Sequence, residues 1–389
     1  QAMSFHKYFR EPEFNGHLPA LDGVRGIAIL SVLIFHATVF TPNNWIDNIC
    51  HTVGMAGWVG VDLFFVLSGF LITGILYDYK EKRVQGYFKN FYVRRILRIV
   101  PLYYLVAIFA LHILPAIAPE FNQFIAPKGT GSHWWYWLFL SNFYSSTNGL
   151  SHLILGPTWS VAIEEQFYLA WPLIIFFLRR NTVMWLCAVF MIVAFCLRLY
   201  LLDAGSHPTT IYVLTPARFD AIAAGAFAAL AFRSVGQWRF WLRISVALFV
   251  ITGLVALYFL VSNLINKAHA DMITFGYTLF ALFFASGLYL LLSLKSQSYL
   301  KVALSSPLLV FPGKLSYGLY LFNRPLVDII QTKFFHPSEL HLLGSSLPGQ
   351  VVFWIIFLVS SFTLAILSWH LYEKHFLNLK SRFNPRLGN

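Results

Sequence analysis

Charged residues are scarce in this 389-residue sequence: 11% are Asp, Glu, Lys or Arg, whereas 58% are hydrophobic. Soluble domains usually carry about 25% charged residues. Residues 244–264 and 273–294 each provide roughly 20 mostly apolar residues without a charge, enough to cross a hydrocarbon core about 30 Å thick. The composition excludes a soluble globular domain and predicts an all-α, polytopic membrane protein.

Disulfide frameworks, metal-binding patterns and common nucleophile motifs are also missing. Of the three cysteines, Cys50 lies alone in a predicted loop, and Cys187 and Cys196 fall within one apolar segment. The histidines are scattered without metal-ligand spacing, and no Gly-x-Ser-x-Gly, His-Glu-x-x-His or Gly-rich phosphate-binding motif occurs. We therefore expect no metal centre, no disulfides and no permanently bound cofactor.

The apolar segments predict about ten transmembrane helices in a single domain over residues 1–389. Their approximate bounds are 21–42, 58–77, 97–115, 161–178, 182–202, 217–232, 244–264, 272–294, 315–331 and 350–372.

The distribution of basic residues predicts the orientation of these helices. If the N-terminus is cytoplasmic, the inner connecting segments carry twenty Lys and Arg residues, and the outer ones only Lys128, Lys267 and Lys333. Because Lys and Arg concentrate on the cytoplasmic side, both termini are expected there. Helical spans surrounded by lipid predict the bacterial inner membrane, since outer-membrane proteins are normally β-barrels. The same distribution explains the net charge of +12 without a nucleic-acid partner.

The longest outer segment, about 116–160, contains an aromatic cluster from His133 to Trp137. The apolar part that follows is too short to span, which predicts an interfacial or re-entrant helix with aromatic rings at headgroup depth. Trp134 and Trp135 are candidates for binding a ligand by stacking. The alternative is an aromatic belt without a role in binding.

Several ionisable residues fall inside the predicted spans, where they are costly unless they face a cavity or a partner. Arg25 and His36 are 11 residues apart, so they share a helix face about 16 Å apart along the axis. Asp62 and Glu164 are expected at a similar depth to His36, and a carboxylate beside a histidine fixes its tautomer for general-base catalysis. The alternative is that these residues form purely structural pairs.

Arg94, Arg95 and Arg98 gather at the predicted cytoplasmic end of the third span. Arg95 and Arg98 are three residues apart and share a helix face, which suits binding of phosphate oxygens. Anchoring at the inner surface is the alternative explanation.

A series of motifs resembles the membrane acyltransferase-3 family over about residues 18–376. In chain order these motifs are Leu21–Gly26 followed by His36, Gly60–Phe70, Arg95 with Arg98, Trp159–Ser160 with Glu164–Tyr168, Arg218–Asp220, Ser316–Leu321 and Tyr372–Lys374. One position departs from the pattern, since many members carry His where this chain has Asn323. Some relatives also carry a fused extracytoplasmic SGNH-type domain, which this sequence is expected to lack.

The resemblance implies transfer of an acyl group, commonly acetyl, from acyl-CoA as co-substrate to a hydroxyl of a surface glycan such as lipopolysaccharide O-antigen, exopolysaccharide or peptidoglycan. Together with the predicted topology, this leads us to expect roles for three groups of residues: His36, Asp62, Glu164 and Arg25 in catalysis; Arg94, Arg95, Arg98 and Arg25 in donor binding; and Trp134, Trp135, Arg218, Asp220, Tyr317 and Tyr320 in substrate binding. We expect Tyr320, Arg218 or a backbone N–H to stabilise the oxyanion, and an acyl-His36 intermediate remains open. Asn323 is left out of the catalytic set.

The alternative function is a secondary transporter or flippase, since many spans with internal charges fit that class as well. Transporters often consist of two similar halves with interrupted helices at matching positions. No internal repeat of this kind is evident in the sequence.

Overall fold

The computed structural model describes residue 9 and residues 18–118, 133–150, 154–234, 236–342 and 344–383. Within these ranges the chain is helical apart from turns and two isolated β-bridges. The α-helices are α1 Pro19–Ala37, α2 Trp45–Met55, α3 Val59–Glu81, α4 Tyr87–Ile108, α5 Leu114–Ile117, α6 Trp134–Trp137, α7 Ser141–Asn148, α8 Thr158–Phe177, α9 Arg180–Asp203, α10 Pro208–Val213, α11 Thr215–Phe232, α12 Trp238–Val261, α13 Tyr277–Ser293, α14 Tyr299–Leu304, α15 Pro307–Lys314, α16 Ser316–Lys333, α17 Leu347–Ser368 and α18 Lys374–Asn378.

Eight helical segments in the described part of the chain are long and apolar enough to cross a membrane. They are Pro19–Ala37, Trp45–Glu81, Tyr87–Ile117, Thr158–Phe177, Arg180–Asp203, Trp238–Val261, Met272–Ser293 and Leu347–Asn378. The prediction of an all-α, multi-pass membrane protein is confirmed.

The other two predicted spans are also helical. Span 217–232 corresponds to α11, and span 315–331 corresponds to α16, which follows α15 after a break at Leu315. Both helices carry charged residues, Arg218 and Asp220 in α11 and Arg324 and Asp328 in α16, and these lower their average hydropathy. The number of ten crossings therefore stays a prediction, as does the single domain over 1–389.

Helix α11 lies at the centre of the bundle and is buried along nearly its whole length. Its alanines and Gly225 let it approach α3 backbone to backbone, since a Cβ added at Gly225 would lie 2.0 Å from the carbonyl oxygen of Val66. Small residues at such contacts are the usual means of packing helices within a membrane. This contact fixes the rotation of α3 and determines what its Asp62 faces.

Helix α1 packs equally closely against α15, where a Cβ on Gly26 would lie 2.0 Å from the carbonyl oxygen of Leu309. Helix α15 thereby places the start of α16 beside α1. Two turns into α16, Asn323 reaches the level of His36 near the C-terminal end of α1, where Oδ1 of Asn323 lies 2.6 Å from Nδ1 of His36.

The predicted interfacial segment contains the short helix α6 followed by α7. Trp134 is 67% exposed, whereas Tyr136 is buried and its carbonyl oxygen accepts a hydrogen bond of 2.9 Å from the hydroxyl of Tyr103. Residues 119–132 of this segment, including Lys128, lie outside the described residues.

Candidate active site

Three neighbouring cavities are aligned between the N-terminal and C-terminal ends of α1. We call them the inner cavity, around Asp22 and Arg94, the central cavity, around Ser68 and Glu164, and the outer cavity, around His36. Their volumes, including the open mouths, are about 1030, 760 and 900 Å³ respectively. The inner and central cavities share Arg25, Arg95 and Arg98, whereas the central and outer cavities share Val61 and Tyr320. The cavities therefore form one row through the protein.

The inner cavity is strongly basic. Its described lining contains one acidic side chain, Asp22, which lies 3.5 Å from a guanidinium nitrogen of Arg25. Its basic side chains are Arg25, Arg94, Arg95, Arg98 and Lys380. Predicted donor-binding arginines are thus brought together in one cavity.

Lys380, which lies in the segment after α18, also lines the inner cavity. No motif in the sequence predicts that it binds a ligand. Burial, followed by repulsion from Arg98, Arg95, Arg94 and Arg25, lowers the pKa of Lys380 to about 7. A cavity that disfavours its own positive charges is well suited to bind a multiply charged anion.

In the central cavity, Glu164 faces the same space as Arg25, Arg95 and Arg98. The hydroxyl of Ser68 donates a hydrogen bond to Glu164 and lies 3.1 Å from the hydroxyl of Tyr168. Glu164 therefore faces the predicted donor-binding arginines.

His36 lies in the outer cavity, and its ring partner is Asn323. The side-chain amide of Asn323 donates hydrogen bonds of 3.3 and 2.7 Å to the carbonyl oxygens of Leu319 and Tyr320. Its Oδ1 atom therefore points at Nδ1 of His36, 2.6 Å away, and accepts the Nδ1 proton. Nε2 is left unprotonated, which is the state that a general base needs.

This geometry corrects the expectation that a carboxylate assists His36. Glu164 interacts with Ser68 in the central cavity, and Asp62 forms a fully buried ion pair with Arg218. The close packing of α3 on α11 directs Asp62 away from α1. In the described part of the chain, the imidazole is oriented by an amide.

The sequence does not predict a catalytic role for Asn323, because many family members have His at this position. The histidine that many relatives carry at this position was the signal that the residue here contacts the site. An amide oxygen and a neutral ring nitrogen can both accept the Nδ1 proton.

Arg218 and Asp220 were predicted to bind substrate, but neither lines any of the three cavities. Asp220 pairs with Arg198 at 2.8 Å and accepts a hydrogen bond of 2.7 Å from Thr278. The guanidinium of Arg218 packs on the ring of Tyr277 at 4.1 Å from its centroid. These charges form a buried network behind the cavity walls, because an unpaired charge at this depth would be costly.

Tyr317 and Tyr320 line the central cavity, and their role in substrate binding stays a prediction. The hydroxyl of Tyr317 donates a hydrogen bond of 2.9 Å to the carbonyl oxygen of Ile99. The hydroxyl of Tyr320 lies 2.5 Å from that of Ser160, at the boundary between the central and outer cavities.

Trp134 and Trp135 are partly or largely exposed and line none of the three cavities. Their position favours the aromatic-belt interpretation. The outer cavity is lined instead by the aromatic rings of Phe35, Trp159, Tyr212 and Tyr320.

The chain matches the family described as "Acyltransferase domain" over residues 18–370. It is 28% identical over 384 residues to a protein of Bacillus subtilis (strain 168) provisionally named peptidoglycan O-acetyltransferase YrhL, covering 94% of this chain and 56% of that protein. It is 30% identical over 336 residues to the peptidoglycan O-acetyltransferase OatA of Listeria monocytogenes serovar 1/2a, covering 80% of this chain and 50% of that protein. No solved structure matches significantly.

The chain thus spans about half of the length of these curated relatives. The family match covers almost the whole described chain, including His36 and the lining residues of the three cavities apart from Lys380. The chain therefore belongs to the acyltransferase-3 family of membrane acyltransferases.

Proposed function

We propose that this protein is a membrane O-acetyltransferase that transfers the acyl group of cytoplasmic acyl-CoA to a hydroxyl of a surface glycan. The observation that carries the proposal is the row of three cavities, basic at one end and containing an oriented histidine at the other. The printed names of the relatives, which are O-acetyltransferases, support acetyl as the transferred group.

The donor would enter the inner cavity. Its phosphates would bind to Arg94, Arg95, Arg98 and Lys380, since guanidinium groups form strong, paired hydrogen bonds with phosphate oxygens. Its elongated thioester arm would extend past Arg25 through the central cavity towards His36, about 16 Å further along α1.

In the transfer step, Nε2 of His36 removes the proton of the acceptor hydroxyl while the hydroxyl oxygen attacks the thioester carbonyl carbon. The carbonyl becomes an oxyanion, for which we propose the hydroxyl of Tyr320 as the hydrogen-bond donor. Collapse re-forms the carbonyl and breaks the carbon–sulfur bond, and the imidazolium returns its proton to the departing thiolate. A second route would first place the acyl group on Nε2 of His36.

The acceptor would reach the outer cavity from the side opposite to the donor. The relatives' names refer to peptidoglycan, which makes cell-wall glycan the first acceptor to test, ahead of lipopolysaccharide O-antigen and exopolysaccharide. The proposed topology places the inner cavity and both termini in the cytoplasm and the protein in the bacterial inner membrane.

The test is to incubate the purified protein in detergent with radiolabelled acetyl-CoA, with and without glycan acceptors. We expect the natural protein to cleave the thioester or to become labelled. Both signals should disappear in His36→Ala, and in Arg95→Ala they should appear only at much higher donor concentrations. The matched controls are His375→Ala and Arg239→Ala, whose exposed side chains lie outside the cavities. Near-normal turnover in His36→Ala would contradict the assignment of the base.

A transporter or flippase is the second candidate, because a row of cavities from one face to the other also suits a carried solute. A transporter would bind its cargo without breaking a covalent bond. Passage of solute across proteoliposomes without any thioester cleavage would favour it.

A further inference from the structure

The outer cavity contains two basic side chains, Lys267 and Arg324, together with His36. Its described lining includes no Asp or Glu, and the other lining residues are aromatic or apolar, or are Gly and Pro. Two cations therefore face the space where the acceptor hydroxyl would meet the base.

Lys267 is held in place by its loop. The indole N–H of Trp58 donates a hydrogen bond of 2.7 Å to the carbonyl oxygen of Ile265, and the hydroxyl of Tyr277 donates one of 2.6 Å to that of Lys267. Both aromatic side chains are buried in the helical bundle, so these two hydrogen bonds hold the loop against the bundle. The lysine is thus positioned by the bundle.

The ammonium group of Lys267 lies over two rings, 4.7 Å from the centroid of Tyr212 and 5.2 Å from that of Phe35. It makes no hydrogen bond or ion pair with any residue that the structure describes. Burial, followed by repulsion from Arg324 and Arg218, lowers the pKa of Lys267 to about 8. An anion in the cavity would supply the missing hydrogen-bond partner.

Arg324 follows Asn323 directly in α16, so the residue that orients His36 is adjacent to the second cation. Its guanidinium lies 3.5 Å from Asp328, one turn further along the helix, and 40% of its side chain is exposed. One carboxylate contact leaves most of its five N–H donors available.

We propose that the acceptor is an acidic glycan, and that Lys267 and Arg324 bind its carboxylate or phosphate so that a nearby hydroxyl meets Nε2 of His36. The inference rests on the proposed function and names the substrate class of the same site. The ring of Trp159 would pack against the sugar while the anionic group lies between the two cations.

The first experiment compares acyl transfer to three sugars with the same ring: methyl β-D-glucuronoside, methyl β-D-glucoside 6-phosphate and neutral methyl β-D-glucoside. We expect kcat/KM for at least one acidic sugar to exceed that for the neutral sugar about tenfold or more, the usual effect of one charge-assisted hydrogen bond. The acidic sugar that reacts faster identifies the anionic group as carboxylate or phosphate.

Lys267→Met and Arg324→Gln should each move the ratio of kcat/KM for the acidic sugar to kcat/KM for the neutral sugar towards one. Lys267→Arg should keep this ratio. A ratio within each variant is independent of changes in its overall rate. Lys333→Met is the matched control, since it removes an exposed outer charge at the end of α16, outside the cavity.

A second experiment does not depend on transfer. The rate at which an amine-specific reagent modifies Lys267 is followed by mass spectrometry in the presence of each sugar. An acidic sugar should slow modification of Lys267 but not of Lys333, and Arg324→Gln should reduce this protection.

The inference is overturned if the acidic and neutral sugars protect Lys267 equally. It is also overturned if both variants slow transfer to acidic and neutral sugars by the same factor, because the cations would then serve the oxyanion. Failure of the wild-type protein to cleave any acyl-CoA would instead contradict the proposed function, and the protection experiment would still test the anion site.

Discussion

The hydrogen bond from His36 to Asn323 provides the sharpest test of the proposed chemistry. In Asn323→Leu, a side chain of similar size replaces the amide, so Nδ1 of His36 loses its acceptor and the tautomer with Nε2 unprotonated is no longer favoured. A buried donor left without a partner costs about 1–3 kcal/mol, which corresponds to roughly a 5–150-fold fall in kcat.

The assay is steady-state acetyl transfer with acetyl-CoA varied. We expect kcat to fall while KM for the donor stays within about twofold, because the phosphate-binding arginines lie in the inner cavity, away from Asn323. Asn323→His, the residue of many relatives, should keep activity within about tenfold of the natural protein, since a neutral ring nitrogen can accept the proton.

A general loss of stability must be separated from loss of orientation. Asn142 is another fully buried amide, bonded to Thr215 at 2.8 Å and to Gln166 at 2.9 Å. Asn142→Leu should lower the melting temperature but keep the specific activity of the folded protein. If Asn323→Leu retains kcat within about twofold, the amide does not set the tautomer of His36 and the reasoning is refuted.

Three further predictions concern the inner cavity and the buried charges. Because the pKa of Lys380 is lowered to about 7, acyl-CoA affinity should weaken as pH rises from 6 to 8, and Lys380→Met should flatten this dependence in calorimetric titrations. Arg95→Ala should weaken acyl-CoA binding about tenfold or more in the same titrations, the usual cost of a charge-assisted hydrogen bond, while Arg239→Ala should not change it. Asp62→Asn should destabilise the protein by about 3–5 kcal/mol by leaving Arg218 unpaired, and adding Arg218→Gln should restore part of the melting temperature and of the activity. Activity that stays lost in a well-folded double variant would favour a catalytic role for Asp62.

Sequence alone located the helices well, but it placed Glu164 level with His36, whereas Glu164 lies in the central cavity with Arg25. The 11-residue spacing of Arg25 and His36 places them in the inner and outer parts of one row of cavities, as the helical rise predicts. These predictions succeed because length and period determine position along a helix axis.

The rotation of each helix about its axis was not predictable in the same way. Helix α3 carries apolar residues on all of its faces, so its sequence does not tell which face meets α1 and which meets α11. Asp62 was assigned to His36 on depth, whereas close packing at Gly225 directs it to Arg218. The contribution of Lys380 was also missed, because a short segment after the last span carries no pattern that indicates where it packs.

The boundary between the central and outer cavities, which Val61 and Tyr320 both line, has a consequence for the cell as well as for the reaction. A protein with water-filled spaces open to both faces risks leaking protons and dissipating the membrane potential. If only the acyl group enters the outer cavity and the rest of coenzyme A stays in the inner and central cavities, the boundary does not have to widen during turnover. Tyr320, whose hydroxyl is paired with that of Ser160, would then block the passage of ions between the two cavities. Tyr320→Ala would widen this passage and make the membrane conduct ions.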